Sequence, residues 1–574
     1  MPKKSVSLPP KREVYDAIVI GSGIAGGYAA KELTEKGLKT LVLERGRNVV
    51  HQEDYVGEHR PPWTFKHHGF GDREKYEAEY PVQNLCYAFG EATEHFFIND
   101  KENPYIQEKP FSWIRGNQVG GRSLMWGRQC YRWSPQDFEA NAQDGNGVDW
   151  PIRYEDIAPW YDYVEPFVGI SGQAEGLPQL PDGRFLPPMP MNHVERIVKQ
   201  GIEEAFPGRR MTIGRVAVLT ETRVGRSACH YCGPCQRGCS VGAYFSSQST
   251  TLPAARATGN LTLRPHSNVH SILYDESTGR ATGVRVVDYQ TKEVLEFNAQ
   301  VIFLCASTLG STQILLNSTS NRFPDGLAND SGVLGHYLMD HHSNVGAQGE
   351  MPGYEDIYYS GNRPNGIYIA RFRNLDPASR RPDYVRGFGY QGSASRPGWG
   401  RSMPGFGVAL KQALRDPGPW QMWLSAFGET LPRFENKVTL DPDRVDDWGI
   451  PLLRIDCSWG DNERAMRKDM ADSAAEMLEA AGCVNVQTYD RNVEGGLGAE
   501  PGLGIHEMGT ARMGRDPQTS VLNAFNQAHS VANLFVTDGA CMTSSACQNP
   551  SISYMALTAR AVDFAVAEMR RGAL

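Results

Sequence analysis

The feature that most constrains this chain is a buried strand that passes through a glycine turn into a helix near the N-terminus. Residues 14–20 (VYDAIVI) are largely apolar and rich in β-branched residues, which is typical of a strand buried on both faces. A helix-compatible stretch follows at 25–36, and residues 39–43 have the pattern of a second buried strand. This βαβ opening predicts a domain built on a parallel sheet.

The turn between the first strand and the helix carries a GxGxxG pattern at Gly21, Gly23 and Gly26. Without a Cβ the chain can turn tightly at Gly21, and the backbone at Gly23 can approach a pyrophosphate at the helix N-terminus. Glu44, at the end of the second strand, can accept hydrogen bonds from ribose hydroxyls and would repel a phosphate. The pattern predicts FAD or NAD rather than NADP; a glycine-rich packing turn is the alternative.

Further along, the sequence predicts one parallel-sheet domain interrupted by insertions. Apolar strands at 301–304 and 534–536 and a helix at 308–317 suit the first sheet. Residues 345–500 contain alternating runs that suit an antiparallel sheet, and residues 463–481 form an amphipathic helical stripe.

Composition excludes several classes of protein. The chain has 574 residues, 40% of them apolar, which is ample material for a buried core. Its net charge is −8 without a dense Lys/Arg stretch, so a nucleic-acid partner is not expected. No segment approaches the roughly 20 apolar residues that span a bilayer, so an integral membrane protein is not expected. Polar residues follow the basic N-terminus, so we expect no signal peptide on this chain.

Four blocks in order along the chain resemble the glucose-methanol-choline (GMC) family of flavin oxidoreductases. They are the opening fingerprint, residues 116–127 (GNQVGGRSLMWG), the strand–helix unit at 301–317 and the terminal block at 506–549. Together with Glu44-Arg45-Gly46, the resemblance favours FAD over NAD. It implies cofactor contacts at Gly21, Gly23, Gly26, Glu44, Arg45, Gly120, Gly121, Met125, Trp126, Val269, Asp538 and Gly539.

The resemblance also implies an α/β fold with α+β character. We expect a discontinuous Rossmann-like FAD-binding domain over residues 10–50, 111–140, 225–345 and 505–574. The insertions at 51–110, 141–224 and 346–504 are then expected to build a substrate-binding domain with an antiparallel sheet.

His506 and Asn549 match the two active-site motifs of this family, HEMGT at 506–510 and QNP at 548–550. In the family this pair faces the flavin and binds the substrate alcohol. A neutral imidazole can accept the hydroxyl proton at pH 7 while the carbon-bound hydrogen leaves as hydride. An amide can donate to the developing alkoxide without competing for the proton. We therefore predict that His506 is the base and that Asn549 is the orienting donor.

Two positions depart from the related pyranose 2-oxidases. Met125 stands where those enzymes have a histidine bonded covalently to FAD, which implies non-covalent FAD here. Gly127 stands where they have a threonine near the reactive flavin nitrogen, which implies slower oxidation by dioxygen.

A cysteine run gives a separate prediction of a metal site. Cys229, Cys232, Cys235 and Cys239 have the spacing of the bacterial iron–sulfur run, with Ser240 in place of the usual proline. Zinc and metal-free thiols are the alternatives, and we favour a cluster. Resemblance to FAD-dependent glucose dehydrogenases, which hold a three-iron cluster on three cysteines, leaves Cys232 to decide between three and four irons.

The resemblance implies a dehydrogenase that oxidises a secondary hydroxyl of a sugar or glycoside and passes electrons through the cluster to an external acceptor. Among bacterial sugar dehydrogenases we favour a glucoside 3-dehydrogenase; oxidation at carbon 1 or carbon 2 stays open. The alternatives are a pyranose or alcohol oxidase that uses dioxygen and a non-catalytic electron-carrying flavoprotein. Related enzymes have a small signal-bearing subunit and a cytochrome-type acceptor, so we expect periplasmic location by co-export, and otherwise a cytoplasmic protein.

Overall fold

The structure, a computed structural model, describes residues 14–359, 361–398, 403–491 and 501–574. The signal-peptide prediction depends on the N-terminal segment, and residues 1–13 of that segment lie outside the described residues. Parts of the predicted segments 10–50 and 346–504 lie outside them as well. Among the described helices, none combines the length and the apolarity that a membrane crossing requires.

The strands in chain order are β1 (Val14–Ile20), β2 (Thr40–Leu43), β3 (Ile106–Gln107), β4 (Met211–Ile213), β5 (Leu261–Arg264), β6 (Ser267–Asp275), β7 (Arg280–Asp288), β8 (Val294–Leu304), β9 (Val345–Met351), β10 (Ile367–Ile369), β11 (Phe388–Ser395), β12 (Trp420–Gly428), β13 (Lys437–Val445), β14 (Pro451–Asp456), β15 (Val484–Asp490) and β16 (Leu534–Val536). The helices are α1 (Ile24–Glu35), α2 (Arg73–Glu79), α3 (Pro135–Asp144), α4 (Tyr154–Val168), α5 (His193–Ala205), α6 (Thr251–Ala257), α7 (Thr308–Asn317), α8 (Gly407–Ala413), α9 (Asp461–Ala480) and α10 (Ser551–Arg570).

A seven-stranded sheet contains the predicted βαβ opening. Its order is β5-β2-β1-β8-β7-β6, with β16 also paired to β8. Strands β5, β2, β1, β8 and β16 are parallel, whereas β6, β7 and β8 form antiparallel hairpins. The sheet is therefore mixed rather than purely parallel, because the short turns after β6 and β7 can join only antiparallel strands. The apolar sides of α1 and α10 pack against one face of this sheet.

A second sheet, with the order β15-β9-β12-β11-β10-β4, is antiparallel as the alternating runs predict. The predicted helix at 463–481 is α9, which packs against β9, β12 and β15. Strand β12 alternates between buried residues facing the α9 side and more exposed residues on the other face. A third, small sheet of β13, β14 and β3 was not predicted. The predicted domain boundaries stay a prediction.

Candidate active site

The carboxyl ends of three parallel strands meet at one edge of the first sheet. Ile20 and Val536 both pair with Leu304, so β1, β8 and β16 end side by side. The residues that follow these strands, including Gly21, Cys305 and Asp538, line a single cavity of about 720 Å³. An edge of this kind is where open α/β sheets bind their ligands, and the volume is in the range of small-molecule sites.

The backbone at the start of α1 fits a bound pyrophosphate. Gly21 has a φ of 95°, and a Cβ there would lie 2.4 Å from the carbonyl oxygen of Cys305, so only glycine suits this turn. A Cβ on Gly23 would meet no atom of the described residues within 4 Å, and Gly23 lines the cavity. Among the described residues no side chain caps α1 at this end, which leaves its first N–H groups free to bind an anion.

Two buried carboxylates flank this end of the cavity. Glu44 accepts hydrogen bonds from the backbone N–H groups of Ser22 and Gly46, at 3.1 and 3.0 Å, and burial raises its pKa. Asp538 accepts from the backbone N–H of Ala540 at 3.0 Å, and burial raises its pKa to about 6. Both side chains are therefore held in fixed positions at the cavity wall.

Most of the predicted cofactor residues line this cavity, namely Gly21, Gly23, Glu44, Arg45, Gly121, Met125, Trp126, Val269, Asp538 and Gly539. Gly26 and Gly120 do not. Gly26 packs α1 against the turn, since a Cβ there would lie 2.0 Å from the carbonyl oxygen of Gly21. Gly120 has a φ of 94° and donates its N–H to Ser22 Oγ at 2.9 Å, so its role is to shape the wall behind the cavity.

His506 and Asn549, 43 residues apart in the chain, meet in the same cavity. Asn549 Nδ2 lies 3.3 Å from His506 Nε2, and Gln391 Nε2 donates to Asn549 Oδ1 at 2.7 Å. Burial lowers the pKa of His506 well below its usual value, with smaller contributions from His341 and Arg122. The imidazole is therefore neutral and can accept a proton.

Sequence reasoning missed His341, which lies directly behind His506. Its Nδ1 is 2.9 Å from His506 Nδ1, while its Nε2 is 3.1 Å from the carbonyl oxygen of Ser545 and 3.0 Å from that of Ala546. Burial lowers the pKa of His341 to about 4. The pair His341-His342 is visible in the sequence, but it belongs to no recognised motif and only the fold brings it to the site.

Asp340 and Arg122 fix the segment that carries His506. The Asp340 carboxylate accepts backbone hydrogen bonds from Gly502, Gly504 and His506 at 2.9, 3.0 and 2.9 Å. Burial, followed by the charge of Glu507, raises its pKa to about 7. Arg122, from the 116–127 block, forms an ion pair with Glu507 at 2.8 Å. The segment that carries His506 is therefore held by Asp340, from the middle of the chain, and by Arg122, from the cavity wall.

The four cysteines of the run do not form a metal site in the described part of the chain. No group of three or more His, Cys, Asp or Glu side chains is arranged there to hold a metal ion. Cys232 is exposed, whereas Cys229, Cys235 and Cys239 are partly buried. The predicted four-cysteine ligand set is therefore not assembled in this structure. The loop nevertheless reaches the cavity, because Gln236 lines it.

Comparison with known proteins gives the family. Two sequence models of GMC oxidoreductases, for the N- and C-terminal parts, match residues 15–343 and 432–558. The chain belongs to the GMC oxidoreductase family. Members of this family bind FAD, and this chain is an FAD-dependent oxidoreductase that acts on the CH–OH groups of alcohols or sugars. The predictions of the family and of a flavin-dependent enzyme are confirmed.

Individual relatives are similar over nearly the whole chain. The 2-methyl-1,2-propanediol dehydrogenase of Mycolicibacterium austroafricanum is 30% identical, over 96% of this chain and 94% of its own length. The fructose dehydrogenase large subunit of Gluconobacter japonicus is 25% identical, over 97% of this chain and 98% of its own. A crystal structure of pyridoxine 4-oxidase, from an organism printed as Mesorbium loti, has a TM-score of 0.59 at 16% identity and covers 96% of this chain and 99% of that chain. This likeness confirms the predicted fold class.

The different surroundings of Gly23 and Gly26 predict different effects for the same substitution. Gly23→Ala should leave the melting temperature of the apoprotein unchanged, because the added methyl group meets only open space. It should weaken FAD binding by about tenfold or more, because the added methyl group would crowd the pyrophosphate, and a cost of about 1.4 kcal/mol lowers the affinity tenfold. Gly26→Ala should instead destabilise the apoprotein by about 1–3 kcal/mol through overpacking.

Thermal unfolding of the apoprotein and titration with FAD measure both effects. Unaltered FAD affinity in Gly23→Ala, at unaltered stability, would show that Gly23 does not face the pyrophosphate.

Proposed function

We propose that this chain is an FAD-dependent dehydrogenase that oxidises a secondary hydroxyl of a sugar or glycoside to a ketone, with carbon 3 favoured. The observation that carries the proposal is a sugar-compatible wall opposite His506. The wall is formed by Gln391 and Ser393 of β11 and by Trp423, Ser425 and Phe427 of β12, all of which line the cavity.

The pleat of the second sheet explains why these side chains share one wall. Gln391 pairs with Ser425 and Ser393 pairs with Trp423 across β11 and β12, so alternate residues project to the same face. Trp423 is 40% exposed even though it lies in a strand of the core sheet. An exposed indole face beside amide and hydroxyl groups offers apolar contact for a sugar ring and hydrogen bonds for its hydroxyls.

The bound flavin supplies an acceptor for the hydride. His506 Nε2 accepts the proton of the substrate hydroxyl, and Asn549 Nδ2 donates a hydrogen bond to the hydroxyl oxygen as negative charge develops on it. The carbon-bound hydrogen leaves with its electron pair, and the C=O bond of the product forms. Gln391 holds the Asn549 carbonyl oxygen, which keeps the donor end of that amide directed at the reacting oxygen.

Oxidation of a small diol is a second candidate. It is favoured by the 30% identity to an enzyme named for 2-methyl-1,2-propanediol. The two candidates differ in how many hydroxyl and ring contacts the substrate offers to the wall of β11 and β12. We also propose that FAD is bound non-covalently, because Met125 at the cavity offers a thioether and no nucleophilic nitrogen.

The iron–sulfur cluster and the partners are separate proposals. The cluster is supported by the spacing of the four cysteines and by the position of their loop at the cavity wall. Since these cysteines are not assembled as ligands, binding a cluster requires the loop to close around it. The Gluconobacter japonicus relative is the large subunit of its enzyme, which supports our proposal of a small partner subunit. A cytochrome-type acceptor, periplasmic location by co-export and the two-domain boundaries given above complete the proposal.

Anaerobic reduction of the flavin tests the function. A panel of glucosides, free sugars and small diols is mixed with the protein without oxygen, the flavin absorbance is followed, and the product carbon is identified by NMR. We expect glycosides to bleach the flavin and to yield the 3-keto product. His506→Ala should retain FAD but lose the rate of reduction by at least about 10².

His193→Ala, a change outside the cavity, is the matched control and should keep the wild-type rate. Bleaching by diols alone would favour the second candidate, and stoichiometric peroxide production in air would favour an oxidase. If no alcohol bleaches the wild-type flavin, or if His506→Ala reacts normally, the proposal is wrong.

The low pKa of His506 predicts an unusual pH dependence. The base acts in its neutral form, so its rate falls only when the pH drops below the pKa. A histidine with the usual pKa of about 6.5 would lose about three quarters of its neutral form at pH 6. Because burial keeps the pKa of His506 well below that value, protonation of His506 should not lower the rate constant for flavin reduction between pH 8 and pH 6. Asp340, with a pKa of about 7, titrates in this range, so the test is made in Asp340→Asn as well as in the wild-type protein.

Stopped-flow absorbance measures this rate constant, with FAD occupancy checked at each pH. An approximately fourfold fall centred near pH 6.5 that persists in Asp340→Asn would contradict the assignment of a strongly lowered pKa to His506.

The cysteine run makes a prediction about metal content. Anaerobically purified protein should contain iron and acid-labile sulfide and should give an EPR signal. Cys235→Ser should abolish it, whereas Cys232→Ser should leave a three-iron cluster intact if only Cys229, Cys235 and Cys239 act as ligands. Stoichiometric zinc without iron, or protein free of metal, overturns the cluster proposal and leaves the oxidation chemistry untouched.

A further inference from the structure

The hydrogen bonds of His341 determine which of its nitrogens carries a proton. Its Nε2 lies 3.1 and 3.0 Å from the carbonyl oxygens of Ser545 and Ala546, and carbonyl oxygens can only accept. Nε2 must therefore carry the hydrogen. His341 is 1% exposed and, with a pKa lowered to about 4, it is neutral. A neutral imidazole has a single N–H, so the Nδ1 of His341 is a bare acceptor.

This acceptor faces the ring of His506. The two Nδ1 atoms are 2.9 Å apart, a distance that needs one hydrogen between them. Since the Nδ1 of His341 has none, His506 Nδ1 must donate it. His506 is also neutral because burial lowers its pKa, so its Nε2 carries the lone pair.

The far side of His506 leads independently to the same assignment. Gln391 Nε2 donates to Asn549 Oδ1 at 2.7 Å, which leaves the NH₂ group of Asn549 directed at His506 Nε2, 3.3 Å away. An NH₂ group requires an acceptor, so this nitrogen of His506 is unprotonated. Four side chains therefore form one chain of hydrogen bonds in which each donates to the next, in the order Gln391, Asn549, His506 and His341.

We propose that His341 is a positioning residue that fixes the tautomer of His506, so that the unprotonated Nε2 faces the substrate hydroxyl. This inference rests on the proposed function, in which His506 accepts the hydroxyl proton. In water the opposite tautomer of imidazole is available to an unrestrained ring, and a catalytic histidine held in the wrong tautomer can lose up to about 10⁴ in rate. His341 thus acts through His506, since it is not among the described residues that line the cavity.

Two substitutions separate this role from a purely structural one. His341→Asn keeps an acceptor oxygen at the position of Nδ1 but is too short to reach the two carbonyls. His341→Gln keeps a donor at the position of Nε2, within reach of the carbonyls, but removes the acceptor for His506. We expect flavin reduction in His341→Asn to stay within about threefold of wild type, and in His341→Gln to fall about 10- to 100-fold, with KM little changed.

At equal stability and FAD content, the opposite order of the two variants would show that the bonds to Ser545 and Ala546 matter and that the acceptor for His506 does not. Equal loss in both would show that the ring has a structural role only, and either result overturns the inference. Nitrogen-15 NMR of histidine-labelled holoenzyme gives a readout independent of activity. The His506 resonances, assigned by their disappearance in His506→Asn, should show a protonated Nδ1 and a bare Nε2 in wild type. They should show a loss of this preference in His341→Gln.

A protonated Nε2 in the wild-type protein overturns the inference even if both variants fail to fold. Failure of the proposed function is distinguished by the wild-type protein itself. If no alcohol bleaches its flavin, the catalytic role of His506 is lost, while the NMR spectrum still decides the tautomer.

Discussion

The alignment of three parallel strands is the constraint on which the rest of the molecule depends. The backbone hydrogen bonds that pair Ile20 and Val536 with Leu304 bring residues from the beginning, the middle and the end of the chain to one edge of a sheet. The residues that follow the three strands, including Gly21 and Asp538, therefore line one common cavity. A shift of one residue in this pairing would turn buried side chains to the other face of the sheet, so the register is strongly specified.

The catalytic segment needs a second constraint because it does not lie in a regular element. Ile505, a β-branched residue, has a φ of 58°. This left-handed conformation is strained for any residue other than glycine. The residues on either side of it donate backbone hydrogen bonds to the carboxylate of Asp340. Three backbone hydrogen bonds to one buried carboxyl group, the third donated by Gly502, can hold a strained turn in place. The orientation of His506 is therefore stabilised by a buried carboxylate that does not contact the reacting atoms.

The part of the fold predicted from the sequence is the part encoded locally. Helix α7 and strand β16 have the expected bounds, and β1, α1 and β2 differ from expectation by a residue or less, because strand and helix periodicities are properties of neighbouring residues. The antiparallel hairpins of β6 to β8 were missed, since an apolar run at 301–304 reveals only the buried end of β8. The cysteine run is a case that local spacing cannot settle. Metal binding depends on where the thiols point, and among the described residues no set of ligands is assembled to hold a metal ion.

The residues of the candidate site also fall into those that a short motif predicts and those that only the fold brings together. His506 and Asn549 could be predicted because each lies in a short motif, whereas His341 could not, since it is 165 residues from His506 and carries no motif. Gln391 was missed because an amide on a strand is usually a surface residue.

These two missed residues connect the chemistry to the rest of the molecule. Gln391 belongs to the same face of β11 and β12 as Trp423, so the strand that we propose to contact the substrate also orients Asn549. His506, by contrast, is held by Asp340 and His341, which follow α7 and precede β9. Under the proposed function, substitutions on β11 and β12 can therefore change the alcohol that is oxidised without changing the hydrogen bonds from Asp340 and His341 that hold His506.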